Sequence, residues 1–482
     1  MAGDLGDQQI DITTPSSGAF IITPDAGTQV QLGSAAPMAA GVAITVDGIF
    51  RDIKVALGGG NDTIHFDSGV APKNLTLDGG DGDDSIRVKS STIAGNLTIL
   101  GGAGVDSLTV DGDRVLVLGA ASLVGGEGDN TFNFTATTFA VGGNLALKGG
   151  AGKETINAPG GSCATIAIGG AFSIAAAAGE LVASLVPSAS LTIGNGLAIG
   201  ARSATTPSTI TFGASGGLFV KGNVAFALGT GANTTTFAAG GDLTILGGFS
   251  YTGGAGADEL SVSASGISVL GAIAVKLGSG ANAMDVSGTS FANVGKGVTV
   301  TALEGADTFE WSGGGSVGGK FSVNLGTGNA QTALITGTTS GLFIGKGLAI
   351  SAIGLTATAG ATLTLRHLAV SGKSAITTGF GADTINVDGI HFLGATTIST
   401  GGAVDAVRIE KANSPGATTF SGATKILLGD GNDTLAISTD GVANDITRFL
   451  VKWFADGGTG TNIATLAATN LFEPFGHTFK GL

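Results

Sequence analysis

The chain has 482 residues, of which 87 are glycine, 9 are proline, 12% are charged and 43% are hydrophobic. That composition excludes collagen, which needs glycine at every third position, and disorder, which needs low hydrophobicity and high charge. A net charge of −14 with pI near 4.6 argues against a nucleic-acid or anionic-membrane partner and favours attraction of cations.

Residues 1 to 50 read as a strand-rich N-terminal cap or first coils. They lack the motif that follows. The opening "MAGDLGDQQIDITTP" has neither a basic start nor an apolar core, so it does not read as a secretory leader. From residue 51 a glycine-rich turn recurs: "LGGGNDTIHF" at 57, "DGGDGDDSIRV" at 78, "LGGAGVDSLTV" at 100, "VGGEGDNTFNF" at 124 and "KGGAGKETINA" at 148. Later copies run from "LGTGANTTTF" at 228 to "LGDGNDTLAI" at 428. The apolar residue after each turn marks the period. These markers are Ile64, Ile86, Leu108, Phe132, Ile156, Phe237, Leu260, Met284, Phe309, Ile385, Val407 and Leu435, and adjacent copies lie 22 to 28 residues apart. The gaps from 156 to 237 and from 309 to 385 each fit three periods with degenerate copies inside.

A second signature precedes each turn: glycine, then alternating apolar residues, as in "GNLTILGG" at 95, "GNLALKGG" at 143 and "GDLTILGG" at 241. Each period therefore holds about three short strands with alternating faces. A fixed period of this size, without helical patterning, predicts an all-β fold: a parallel β-solenoid (β-helix) over residues 51 to 445, of about 16 to 18 coils. Coils stacked at about 4.8 Å would give a length of about 80 Å. Stacked inward residues would form ladders, which suits 24 phenylalanines against 1 tyrosine, since phenylalanine has no polar tip to satisfy. The most apolar run, Ala164 to Gly179, is too short and glycine-interrupted for a membrane helix and reads as core strands. The lone Cys163 reads as a small buried hydrophobe. The four histidines, His65, His367, His391 and His477, show no ligand spacing. Residues 446 to 482, with Trp453, Phe454, Phe472, Phe475 and Phe479, read as an aromatic C-terminal cap or assembly segment covering an exposed strand edge.

Two residues before most markers stands an acidic residue or asparagine: Asp62, Asp84, Asp106, Asn130, Glu154, Asp258, Asn282, Asp307, Asp383, Asp405 and Asp433. "GGDGDDSIR", "GGAGVDSLT" and "GGAGADELS" resemble the G-G-x-G-x-D-x-U-x nonapeptides of RTX-type secreted proteins. The resemblance implies Ca²⁺ held by Asp62, Asp84, Asp106 and Asp433 with turn carbonyls, and Asp83 and Asp430 beside them join the candidate metal set. Here the motif occurs once per coil, so only one edge could carry such sites. Aspartate also caps turns through its own backbone without a metal.

The strand–turn pattern also resembles the β-strand-repeat proteins of bacterial cell surfaces. That implies an extracellular or cell-surface protein with a structural or adhesive role, whose partners are copies of itself in a fibre or layer, and a cell-surface glycan. No pair of placed carboxylates is singled out for glycoside hydrolysis, so the chain does not read as an enzyme. The alternative is a polysaccharide-binding or polysaccharide-cleaving β-helix.

Overall fold

A computed structural model describes residues 6–14, 19–30, 38–48, 51–288, 292–328, 330–354, 360–410, 416–439, 446–467 and 471–482. Parts of the expected terminal segments, including 1–5, 15–18, 31–37, 49–50 and 468–470, lie outside the described residues. Among the described residues every regular element is a β-strand. The strands form three parallel sheets wound as a solenoid of about 16 coils, with about three strands each. The chain divides into two units, Met1–Thr244 and Ile245–Leu482.

In the first unit, one coil shows the plan. Leu97–Ala103 enters the glycine turn, Ser107–Asp111 leaves it, and Arg114–Val117 forms the third side before Ala121 begins the next coil. Each strand pairs in register with its counterparts one coil away: Leu97 with Leu75 and Ala121, Leu108 with Ile86 and Phe132, Val115 with Phe139. Burial alternates residue by residue, because a strand sends successive side chains to opposite faces. The predicted ladder Ile64–Ile86–Leu108–Phe132–Ile156 is continuous and buried. It runs on through Ala183 and Ile210 to Thr235. Phe237 is therefore not the marker of its coil. It stands in the second inward row, stacked on Phe212, while the buried Thr235 takes the marker position. The turn "GTGAN" keeps the motif spacing, but the large apolar residue has moved two places downstream.

At the N-terminus, Gln9–Thr13 pairs in parallel with Thr63–Asp67 and antiparallel with Phe20–Pro24. That strand pairs antiparallel in turn with Ile44–Val46. Reversing strand direction ends parallel propagation at this edge of the sheet. The apolar run from Ala164 becomes strands Thr165–Ile168 and Phe172–Ala175, with Ile166, Ile168, Phe172 and Ile174 turned inward. Cys163 is buried, and burial pushes its thiol up to about 11.

The second unit repeats the plan. Its ladder runs Leu260–Met284–Phe309, then Ala333 and Leu363 in the degenerate coils, then Ile385–Val407–Leu435. The third side carries a phenylalanine stack. Phe392, Phe420 and Phe449 lie 5.0 and 4.8 Å apart with planes tilted by 14° and 5°, and Trp453 stacks on Phe449 at 4.3 Å. The C-terminal residues continue the parallel ladders: Trp453–Asp456 pairs with Thr424–Leu427 and His477–Lys480, and Ile463–Leu466 pairs with Thr434–Ile437.

Candidate functional site: the stacked glycine–aspartate turns

The motif is built from the side chain outward. In "GGDGDDSI" the carboxyl of Asp84 folds back over Gly79, where a methyl group would fall 2.1 Å from its Oδ2. Gly101 makes the same room for Asp106, and Gly149 for Glu154. The second glycine has another task. Gly80 and Gly102 adopt φ of 115° and 124°, and a Cβ on Gly102 would lie 1.7 Å from the carbonyl oxygen of Gly80. Only glycine allows consecutive turns to sit this close in that conformation.

Three ladders of side-chain-to-backbone hydrogen bonds then tie each turn to its neighbours. The inner one consists of buried rungs. The N–H of Asp62 donates to Oδ1 of Asp84 at 2.8 Å, that of Asp84 to Asp106 at 2.9 Å, and that of Asp106 to Asn130 at 3.0 Å. In the second unit the N–H groups of Asp383, Asp405 and Asp433 donate in the same way to Asp405, Asp433 and Asn462. The outer ladder runs in the opposite sense: Asn61 N–H to Asp7, Asp83 N–H to Asn61, Val105 N–H to Asp83. The third lies at the foot of the first strand, where Asn96 N–H donates to Asn74, Ala120 N–H to Asn96 and Ala171 N–H to Asn144.

The predicted site residues thus fall into two groups. Asp62, Asp84, Asp106 and Asp433 are inner rungs, each at most 2% exposed. Asp83 and Asp430 lie on the exposed rim, where Asp430 accepts a hydrogen bond from the Thr459 hydroxyl. Among the described residues, no three His, Cys, Asp or Glu side chains converge as a ligand set. The sequence reading missed the asparagine foot ladder and the outer ladder. Their signals were present: asparagine in "GNL", and Asn or Asp five places into the turn.

Burial dominates the electrostatics of the inner ladder. It raises the Asp84 carboxyl to about 7, against the pull of the Asp62 N–H and with the help of the neighbouring charges of Asp106, Asp62 and Asp83. It raises Asp106 to about 6 and Glu154 to about 7, although backbone N–H groups of Asp84 and Gly150 oppose it. Asp405 is likewise raised to about 7, and Asp383 and Asp433 are raised for the same cause. A row of carboxyls one coil apart, out of water, favours uncharged forms.

The foot ladder gives a small, separable prediction. Asn96→Ala removes an acceptor for an exposed N–H that water can partly satisfy. It should cost about 0.5–1 kcal/mol in urea unfolding, with no change in secondary structure.

No protein-family model matches the chain, and no similar curated protein was found.

Proposed function

We propose that this protein is an extracellular, cell-surface structural or adhesive solenoid that self-assembles, with calcium promoting the assembly. One observation carries the reading. The turns repeat in register from coil to coil, with Ala103 paired to Asp81 on one side and to Glu127 on the other, so one edge presents the same exposed surface many times over. A surface repeated in this way can dock on the same surface of a second solenoid. The partner is another copy of the chain. Its surface placement rests on the resemblance of the turns to secreted repeats. Calcium enters at the acidic rim, where the exposed Asp81 and Asp83 lie on one turn and Glu127 and Asp129 on the turn two coils on. Divalent cations there screen like charges and let solenoids pack side by side.

A second reading, glycan binding, is favoured by a shallow groove in the second unit. It is lined by Phe343, His367, His391 and the backbone of Gly341 and Gly389, with the Phe343 ring 45% exposed. An exposed ring beside hydrogen-bonding groups suits one face of a sugar.

Negative-stain electron microscopy in excess calcium and in excess EGTA tests the first reading. Filaments or ordered sheets in calcium, shorter or fewer in EGTA, are expected. Single particles in both would refute assembly and move the case to a glycan-binding screen.

A further inference from the structure

The inner ladder contains its own comparison. At three buried rungs an asparagine stands in place of the acid. Asn130 donates from Nδ2 to the carbonyls of Gly126 and Gly128, Asn233 to those of Gly229 and Gly231, and Asn282 to those of Gly278 and Gly280, at 2.8 to 3.4 Å. Each of these asparagines also accepts, through Oδ1, the N–H of the rung before it. At these three rungs the pocket over the turn is therefore lined by acceptors and calls for a donor, whereas at Asp258 and Glu154 the N–H groups of Gly254 and Gly150 point to the acid.

Asp307 occupies the equivalent place in the second unit, and the N–H of Leu303, which corresponds to that of Gly254, donates instead to the carbonyl of Gly278. Its Oδ1 accepts the N–H of Asn282 at 3.0 Å and the amide of Asn282 at 2.9 Å, as an asparagine's oxygen would. Its Oδ2 then takes the place of the asparagine's nitrogen. The residue is 0% exposed, and Oδ2 is buried without a hydrogen-bond partner. The next rung, Gln331, brings another buried oxygen, Oε1, that also lacks one. Charged side chains on the coils packed against Asp307 offer no compensation. Lys276, Asp285, Glu304, Glu310 and Lys320 are all at half-buried or exposed positions, and none forms an ion pair with it.

We infer that Asp307 is carried in the folded protein as a neutral carboxylic acid whose Oδ2–H donates into its turn as an asparagine amide does, and that losing this proton releases the turn. A protonated carboxyl has the one O–H that the pocket lacks. An ionised one would leave a buried charge among acceptors, which costs far more. Burial raises the Asp307 carboxyl, and both hydrogen bonds from Asn282 only partly oppose this, which agrees with the geometry.

The sign follows. With the folded value above the unfolded value of 3.8, the stabilising contribution is complete below 3.8 and is lost as pH rises through the folded value. Asp307→Asn supplies a permanent donor of the same shape. In EGTA, the unfolding constant of wild type relative to D307N should rise by about tenfold per pH unit within that window. Asp307→Ala, which has no donor, should be less stable than D307N at every pH. The infrared carbonyl band of protonated carboxyls, present in wild type at neutral pH, should lose intensity in D307N. A wild-type to D307N ratio that stays constant from pH 5 to pH 8, or an unchanged band, would overturn the inference. So would a gain in stability on adding calcium that wild type shows and D307N does not, since Oδ2 would then be a cation ligand. Assembly is not read in these experiments, so their failure leaves the self-assembly proposal standing.

Discussion

Gly102→Ala should lower the stability of the first unit by about 3–5 kcal/mol, which is at the severe end for a single methyl group. Two costs add. The backbone at φ 124° is one that a side chain rarely adopts, worth about 1–3 kcal/mol. The new Cβ would also sit 1.7 Å from the Gly80 carbonyl oxygen. That oxygen is backbone and cannot swing aside. Leu97 to Ala103 is held in register to Leu75 to Asp81 on one side and to Ala121 to Glu127 on the other. Relief requires prising two coils apart, which breaks the rung from Asp84 to Asp106 as well. Urea unfolding measures the loss. Ala103→Ser, one residue on and exposed, is the control and should change stability by less than about 0.5 kcal/mol. If Gly102→Ala were as mild as the control, stacking of the turns would not be what the glycines serve.

Phe420→Ala in the second unit should cost about 3–5 kcal/mol. The ring is fully buried and sandwiched between Phe392 and Phe449 at 5.0 and 4.8 Å. Its removal opens a cavity that the neighbours cannot close, because each is fixed to its own coil by strand pairing on both sides. Phe420→Leu refills part of the space and should recover a good share of the loss. A cost under about 1 kcal/mol for the alanine would mean that the aromatic stack adds little to the solenoid.

Both predictions rest on features that the sequence made visible to different degrees. The coil, its three sides and its inward ladder were legible because a strand's period of two and the coil's period of 22 to 28 are both written in apolar residues. Even the degenerate coils followed, with Ala333 and Leu363 filling the places between Phe309 and Ile385. Phe237 departs from this pattern: its size marks it as the first inward residue after the turn, whereas spacing from Asn233 gives that place to Thr235. The turn was harder to read. Gly-Gly-x-Gly-x-Asp looks alike whether the carboxylate faces a cation or a backbone N–H. Which one it meets depends on the next coil, 22 residues away in sequence. The outer and foot ladders were missed for a related reason. A single Asn61 or Asn96 looks like turn chemistry, and its role emerges only when neighbouring coils are stacked.

These turns are part of the stacked core, held by the chain's own carboxyl rungs. Amide hydrogen exchange in excess EGTA tests it most directly, followed over the segments 57–64, 79–86 and 101–108. The amides of Asp62 and Asp84 donate to buried carboxyls, so they should exchange as slowly as those of the flanking strands, and calcium should leave them unchanged. Exchange at the rate of exposed loops in EGTA, with protection appearing only when calcium is added, would contradict the account and make the turns calcium loops.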